Sequence, residues 1–312
     1  MGLKKKKKPK LLSSTRPPTI HSQPPASLSS RASRTVIRTH HTLQKQLNQA
    51  IASNDTKLAA SLRSQIDSLG GLKKYQRASI LGQSSERGGD SSKVLIEWVT
   101  SALQESTGIL GHVPLSKRYK LLEVGALSPS NACSRSKLFE VERIDLHSQH
   151  PHIVEQDFME RLIPDMEEEL ERDGFDIVSL SLVVNYVPDA ASRGEMLRRV
   201  GKFLKRGEIM GESAGGGKES GAGEKAGKGL FPALFLVLPA PCVENSRYMD
   251  EGRLERIMRS LGFVSVKRKM SSKLVYYLWR FEGPTEKGKG MAFGKEEVRK
   301  GKERNNFAIV LR

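Results

Sequence analysis

Beyond residue 118 the chain alternates short apolar runs with longer stretches in which apolar residues recur every three or four positions. The short runs predict β-strands and the periodic stretches predict helices. Residues 175–184 (FDIVSLSLVV) lack polar alternation, which is typical of a parallel strand covered on both faces. The pattern predicts an α/β fold with a mainly parallel sheet between helices. The first six predicted strands are Tyr119–Val124, Val141–Leu146, His152–Gln156, Phe175–Val184, Leu230–Leu238 and Phe263–Lys269, and the helices include Asp189–Lys205 and Asp250–Leu261.

Two apolar segments compete for a seventh strand, Leu274–Phe281 and Phe307–Leu311. We assign the seventh strand to Phe307–Leu311 and interpret Leu274–Phe281 as an extension of the sixth. The prediction is therefore a sheet of mostly seven strands.

Before the sheet, residues 40–92 have the pattern of helices. A first helix buries one face, and a second follows a cap at Asn54 or Asp55 and ends at Gly70-Gly71. Asp90 can cap a further helix that leads into the main domain. We predict a small helical extension, residues 40–92, that rests on a main domain of residues 93–312. The apolar faces of the first two helices comprise Leu43, Leu47, Ile51, Leu58, Leu62, Ile66 and Leu69.

Composition sets two segments apart from the folded part. Only 37% of all residues are apolar, and residues 1–39 are rich in lysine, serine and proline with almost nothing to bury. We predict that these residues form a disordered basic arm. Nine of the 23 residues from 207 to 229 are glycine, which predicts a flexible insertion on the side away from the expected ligand.

The net charge of +17 is concentrated at the ends of the chain. Residues 1–50 contain eleven Lys/Arg and no acid, residues 283–312 contribute +4, and the interval between them carries only +2. Basic tails attract polyanions with little dependence on sequence, so nucleic acid is the expected partner and an acidic membrane surface the alternative. The run Lys4–Lys8 has the composition of a nuclear or nucleolar address, and a solubilising tail is its plainer interpretation.

Several classes of protein are not indicated. No stretch approaches the roughly 18 apolar residues of a membrane span, and there is no apolar signal-peptide core. The two cysteines, Cys133 and Cys242, cannot build a disulfide framework, which favours a reducing compartment. His147, His150 and His152 crowd one predicted loop, but no cysteine or glutamate stands at ligand spacing, so we predict no metal site.

Candidate ligand-binding residues follow the first two predicted strands. Residues 121–127 (LLEVGAL) end the first strand in a turn, and Glu123 and Gly125 are candidate cofactor-binding residues there. Gly125 lets a ligand approach the backbone closely. Asp145 ends the next strand twenty residues later. Nucleoside-binding sheets place an acid at that offset because a carboxylate accepts hydrogen bonds from both ribose hydroxyls.

The third and fourth predicted strands end in further candidates. Asp157 and Phe158 would offer an adenine an acceptor and an apolar wall. Asn185 carries a donor and an acceptor suited to a Watson–Crick base edge, and Tyr186 carries a ring on which a base can stack. Each signal alone also fits an ordinary strand end, and a plain turn capped at Asp189 is the alternative for the last pair. Together they predict a nucleoside site.

These segments resemble the fungal nucleolar rRNA adenine-N(1)-methyltransferases of the large ribosomal subunit. The resemblance covers roughly residues 40–312 apart from the glycine-rich insertion. It implies a Rossmann-like class I methyltransferase fold, S-adenosylmethionine bound at Gly125 and Asp145, and methylation of one adenine in 25S rRNA. The matching segments are 122–127 (LEVGAL), 143–146 (RIDL), 156–158 (QDF), 179–188 (SLSLVVNYVP), the pairs Tyr75-Gln76, Ala78-Ser79 and Gly82-Gln83, and 88–90 (GGD) and 305–307 (NNF).

The expected chemistry agrees with the residues. Methyl transfer to the neutral N1 of adenine is an in-line displacement that needs alignment rather than a metal or a strong base. N1 lies on the pairing edge, so the adenine must be unpaired or extruded. We expect Asn185 and Tyr186 to grip it, in a monomeric enzyme that acts in the nucleus and nucleolus.

Two other functions remain open at this point. A related animal branch with similar motifs senses S-adenosylmethionine in nutrient signalling, so a non-catalytic sensor that regulates a protein partner is the main alternative. The basic arm argues against it, since a cytoplasmic sensor has no use for one. A pure RNA-binding protein would leave the acids at the strand ends unexplained.

Overall fold

The computed structural model describes residues 29–82, 89–107, 118–164, 166–206, 229–284 and 290–312. Its centre is a seven-stranded sheet in the order β3-β2-β1-β4-β5-β7-β6. The strands are β1 (Tyr119–Val124), β2 (Phe139–Asp145), β3 (Val154–Glu155), β4 (Ile177–Ser181), β5 (Ala233–Pro239), β6 (Phe263–Met270) and β7 (Leu274–Phe281). The helices are α1 (Ser30–Ala52), α2 (Thr56–Ser68), α3 (Gly71–Gly82), α4 (Ser92–Thr107), α5 (Ala132–Arg135), α6 (Glu167–Asp173), α7 (Ala190–Val200), α8 (Pro241–Glu244) and α9 (Glu251–Ser260).

Strand direction places the candidate residues at the ends of β1, β2 and β4 at one edge of the sheet. β1 pairs in parallel with β2 and β4, β2 with β3, and β4 with β5, whereas β7 runs antiparallel to both β5 and β6. The carboxyl ends of β1 to β5 therefore lie on the same side, and the order reverses between β1 and β4, where such sheets bind ligands. This arrangement confirms the predicted Rossmann-like class I methyltransferase fold.

The assignment of the seventh strand to Phe307–Leu311 is wrong. Leu274–Phe281 forms β7, because the turn after β6 reverses the chain: the Ser271 amide donates to the Leu274 carbonyl at 2.8 Å. Residues 307–309 are buried by packing beside α7 instead, where the Val310 amide donates to the Ala190 carbonyl at 2.8 Å. The apolar pattern predicts that both segments are buried. It does not distinguish a strand of the sheet from a segment that packs beside a helix.

Two apolar clusters cover the two faces of the sheet. Alternate residues of β1 enter opposite clusters, with Leu122 and Val124 on one face and Leu121 on the other. α7 and α9 cover the first face, and α4 covers the second with Leu95, Trp98 and Val99. No helix among the described residues is long and apolar enough to cross a membrane.

The N-terminal helices form a separate small layer. α1 and α2 make the predicted hairpin, which buries Leu43, Leu47, Leu62 and Ile66 between them. α1 starts at Ser30, ten residues earlier than predicted, because the Ser29 side chain caps it by accepting from the Ala32 amide at 3.1 Å. α3 follows at once and occupies a segment left unassigned by the sequence pattern. Residues 1–28 of the predicted arm and 207–228 of the insertion lie outside the described residues.

Candidate active site

Gly125 forms the turn that ends β1. Its φ is +74°, a left-handed conformation that glycine adopts without strain. Its amide donates to the Ile144 carbonyl on β2 at 2.8 Å. A Cβ at this position would stand 2.7 Å from Cγ2 of Val183, so the turn has no room for a larger residue. The predicted glycine turn is thus present, with its backbone at the carboxyl edge.

Glu123 places a carboxyl group beneath that turn. Its Oε1 accepts a hydrogen bond from Nδ2 of Asn131 at 2.6 Å, whereas its Oε2 is buried without a hydrogen-bond partner. Burial raises the pKa of this carboxyl to about 7, although Asn131 and Arg143 act in the opposite direction. Glu123 is therefore a buried acid with one oxygen available to a donor from a ligand.

The residues before α4 form hydrogen bonds that hold the segment next to Glu123 in place. The Asp90 carboxylate accepts hydrogen bonds from the backbone amides of Ser92, at 3.0 Å, and Ala132. The hydroxyls of Ser91 and Ser181 are 2.7 Å apart, which joins this segment to the end of β4. Asp90 caps α4 as predicted, and it also holds the start of α5 near Glu123.

Asp145 ends β2, the strand next to β1. Its Oδ1 accepts from the His147 amide at 2.9 Å, and burial raises its pKa. The following loop is held by the helical extension, because Nε2 of Gln76 donates to the His147 carbonyl at 2.8 Å. The structure thus brings Asp145 to the same edge as Gly125 and Glu123.

Phe158 does not form the predicted apolar wall for an adenine, whereas the role of Asp157 as an acceptor for adenine stays a prediction. Oδ1 of Asp157 accepts from the Met159 amide at 2.7 Å and stabilises its own turn. Phe158 is 2% exposed and packs on Phe203 in the core, with ring centroids 5.3 Å apart. The prediction for Phe158 is wrong, because an apolar residue after a strand end served the core beneath the sheet rather than the ligand edge.

Asn185 and Tyr186 lie on a loop that turns sharply away from β4. Leu182 has a φ of +58°, an unusual conformation for a residue with a branched side chain, and it ends the strand three residues before the predicted Val184. Oδ1 of Asn185 is buried without a hydrogen-bond partner. Tyr186 is 39% exposed at the mouth of the site. Backbone strain held at such a position is typical of functional loops.

The helical extension contributes residues that the sequence did not indicate as site residues. The imidazole of His41 stacks on the Tyr186 ring, with centroids 4.1 Å apart and planes 16° apart. Tyr75 of α3 meets His41 edge-on at 5.0 Å and stacks on His40 at 4.5 Å. Burial, assisted by the charge of His40, lowers the pKa of His41 to about 4, so His41 is neutral near pH 7. In the sequence, the feature that could have drawn attention to His41 is its position opposite the apolar face of α1.

Most of the unpartnered buried polar atoms belong to the carboxyl edge of the sheet and to the helical extension. The described residues contain seven buried side-chain nitrogen or oxygen atoms without a hydrogen-bond partner. Five belong to this edge and to the helices above it, namely His41 Nε2, Gln76 Oε1, Ser79 Oγ, Glu123 Oε2 and Asn185 Oδ1. Buried polar groups are almost always paired in native proteins, so such a group indicates a site shaped for a polar ligand.

Arg193 of α7 fixes the loop from the other side. Its Nε donates to the Val187 carbonyl and its Nη1 to the Ala308 carbonyl, both at 2.9 Å. Its guanidinium also lies over the Phe307 ring, 4.8 Å from the centroid. The C-terminal segment is therefore attached to the loop that carries Asn185 and Tyr186.

No group of three or more His, Cys, Asp or Glu within the part of the chain that the structure describes is arranged to hold a metal ion. His150 and His152 are neighbours, with ring centroids 5.3 Å apart, and the His152 amide donates to Nδ1 of His150 at 3.2 Å. This contact belongs to the loop between β2 and β3.

Weak structural likenesses extend to known methyltransferases. The N-methyltransferase NodS from Bradyrhizobium japonicum WM9, in complex with S-adenosyl-l-homocysteine, has a TM-score of 0.34 at 13% identity, over 60% of this chain and 86% of that chain. An O-methyltransferase family protein from Burkholderia thailandensis has a TM-score of 0.37 at 9% identity, over 80% and 72%. Likenesses this weak say nothing about activity.

Sequence comparison is decisive for the family. The family model described as 25S rRNA (adenine(2142)-N(1))-methyltransferase, Bmt2, matches residues 60–309. The 25S rRNA adenine-N(1) methyltransferase of Schizosaccharomyces pombe is 37% identical over 276 residues, 88% of this chain and 89% of that protein. The 25S rRNA (adenine(2142)-N(1))-methyltransferase of Saccharomyces cerevisiae is 37% identical over 257 residues, 81% and 64% respectively. The chain belongs to the 25S rRNA adenine-N(1)-methyltransferase family, whose methyl donor is S-adenosylmethionine.

Proposed function

We propose that this protein transfers a methyl group from S-adenosylmethionine to N1 of an adenine in large-subunit (25S) rRNA. Family membership supports the reaction class. The observation that carries the proposal to this chain is the group of unpartnered polar atoms at the carboxyl edge, beside the exposed ring of Tyr186. The group contains acceptors for a cofactor on one side and for a base on the other.

The residues present fit the cofactor. Gly125 leaves backbone accessible where a Cβ would fill the space, and Oε2 of Glu123 can accept from the α-ammonium group. Asp145, at the end of the next strand, can accept hydrogen bonds from the ribose hydroxyls. When bound, S-adenosylmethionine supplies an electrophilic methyl group on a sulfonium. A charge-assisted hydrogen bond from the ammonium group would offset the desolvation cost of the buried, ionised Glu123 carboxylate.

The acceptor side is built for an unpaired base. Tyr186 presents a ring for stacking, and Oδ1 of Asn185 can accept from the adenine N6 amino group. That hydrogen bond would orient the ring so that the N1 lone pair faces the methyl group. No proton has to leave N1 before the attack, so these residues need only hold and align the base.

Methyl transfer from tritiated S-adenosylmethionine to deproteinised large-subunit rRNA tests the proposal. We expect 1-methyladenosine from the wild type and its loss in Gly125→Arg and Asp145→Ala. A matched control is Lys202→Glu, at the opposite edge of the sheet, which should keep full activity. Cofactor binding by calorimetry without any labelled RNA would refute the reaction and favour a sensor.

We further propose that the protein acts as a monomer in the nucleolus during ribosome biogenesis. The substrate class and the run Lys4–Lys8 support this place of action. Imaging of the tagged full chain beside a Lys4–Lys8→Ala variant would test the location. An equal nucleolar signal in both proteins would show that the run Lys4–Lys8 is not the nucleolar address.

Light scattering of the purified protein would test the proposed monomeric state, and a mass near 69 kDa, about twice 34.6 kDa, would contradict it.

A further inference from the structure

We propose that one face of α1 is the surface on which the enzyme binds the RNA strand next to its target adenine. This inference rests on the proposed function. It concerns the described helical extension, residues 29–82, whose exposed basic face neither the fold nor the cofactor site explains. The face is called the α1 stripe below and consists of Arg31, Arg34, Arg38, His41 and Lys45.

Among the residues that the structure describes, most of the net positive charge lies in this extension. Residues 29–82 contain nine Lys/Arg and two Asp/Glu, a net charge of +7, whereas residues 89–312 carry only +3. All nine basic side chains are exposed. α1 itself contains no acid in its 23 residues. An exposed surface with so uniform a charge is complementary to a phosphate backbone.

Helical spacing puts the stripe on one face. Its residues follow one another at intervals of three or four, so they lie along one side of α1. Leu43, Leu47 and Ala50 lie on the opposite side and are buried with α2. The inner face therefore holds the extension together, whereas Arg38 and Lys45 on the basic face are exposed.

The placement of basic residues costs helix stability. Arg31 and Arg34 stand at or next to the first turn of α1, where the helix dipole disfavours positive charge, and the first turn contains no acid. A helix selected for its own stability would have acids there. The charge is better explained by a ligand that is itself strongly negative.

The stripe passes directly over the acceptor site. His41 lies between Arg38 and Lys45, and its ring is stacked on Tyr186. Arg38 and Lys45 are seven residues apart, about 10 Å along the helix axis, so they flank that contact on both sides. A strand whose phosphates bind Arg38 and Lys45 would thus present its intervening base to Tyr186. An acidic protein partner has no comparable reason to align with the acceptor tyrosine.

Charge reversal on the stripe tests this proposal. The test variant is Arg38→Glu with Lys45→Glu, and the matched control is Lys137→Glu with Lys202→Glu, two exposed lysines at the amino edge of the sheet. Both variants lose the same net charge. The first readout is the anisotropy of a fluorescein-labelled, adenine-containing single-stranded RNA, and the second is the KM for large-subunit rRNA in the methylation assay.

We expect the stripe variant to lose at least about tenfold in RNA affinity at roughly 0.1 M salt, with a shallower dependence of affinity on salt. KM for RNA should rise in step, while the affinity for S-adenosylmethionine stays unchanged. The control should change less than about twofold. Equal losses in both variants would overturn the inference, because they would reduce it to an effect of net charge. If the wild type forms no 1-methyladenosine, only the proposed function is refuted. The anisotropy measurement tests RNA binding by the α1 stripe without any methyl transfer.

Discussion

The imidazole of His41 lies nearly parallel to the ring of Tyr186, with the centroids 4.1 Å apart. This contact joins two parts of the chain that are far apart in sequence, the first helix of the extension and the loop after β4. It also covers one face of the tyrosine that we assign to the target base. The extension is therefore in contact with the proposed acceptor site rather than a separate appendage.

Loss of this stack should weaken turnover without weakening cofactor binding. We expect His41→Ala to lower kcat/KM for RNA by roughly two- to thirteenfold, which corresponds to one aromatic contact of about 0.5–1.5 kcal/mol. His41→Phe should keep most of the activity, because it restores a ring and removes the unpartnered Nε2. Methylation kinetics and calorimetric S-adenosylmethionine titration are the measurements. A His41→Ala enzyme with wild-type kinetics would show that the contact is only structural.

Glu123 should make cofactor binding depend on pH. Its pKa is about 7 in the unliganded protein, and an ammonium group binds the ionised form. Binding should thus be strongest above pH 7 and weaken by up to about tenfold for each pH unit below it. Calorimetry between pH 5.5 and 8.5 should show this slope in the wild type and a flat profile of weak binding in Glu123→Gln. A wild-type affinity that does not change with pH would contradict the proposal that Glu123 binds the α-ammonium group of S-adenosylmethionine.

The same carboxyl has an opposite effect on the unliganded fold. Its folded pKa lies above its ordinary value of 4.5, so the folded state binds more protons between pH 4.5 and 7 and its stability falls as pH rises through that window. We expect Glu123→Gln to unfold at an equal or higher urea concentration than the wild type at pH 8. Asn131→Ala serves as the control, because it removes the donor to Oε1 and should lower stability.

How much the sequence revealed differed between sheet and site. Strand ends are visible because a run of apolar residues stops at Gly125 or Asp145, and parallel pairing then brings those ends together. The position of Leu274–Phe281 was not visible, because direction within a sheet depends on a turn rather than on apolar pattern. Phe158 shows the same limit, since core and ligand walls both call for apolar residues.

His41 and Gln76 could not be found from the sequence for a different reason. Their role depends on how the extension docks on the sheet, and that contact joins residues as far apart as 76 and 147. Helical periodicity shows which side of α1 is buried against α2. It does not show what the polar side faces. Only the tertiary structure shows that this histidine on a basic helix face contacts the tyrosine of the proposed acceptor site.

Gly125→Ala should damage both the fold and the cofactor site. A φ of +74° costs an alanine about 1–2 kcal/mol, and its Cβ would meet Cγ2 of Val183 at 2.7 Å. We expect a loss of about 1–3 kcal/mol in the free energy of unfolding and at least tenfold weaker S-adenosylmethionine binding. In a double-mutant cycle, Val183→Ala should offset the steric part of the loss. Strict additivity of the two substitutions would show that the clash is relieved elsewhere.

Arg193 should act as a positioning residue for the loop of Asn185 and Tyr186. Arg193→Ala leaves the carbonyls of Val187 and Ala308 without their donors, so we expect about 2–4 kcal/mol lower stability by urea unfolding. Arg193→Lys keeps a charge but cannot reach both carbonyls from one planar group. It should fold more stably than the alanine variant and still show a several-fold lower kcat, with the cofactor Kd unchanged. If Arg193→Lys instead keeps the wild-type kcat, the attachment of the loop to residues 307–308 stabilises the fold without aligning the base.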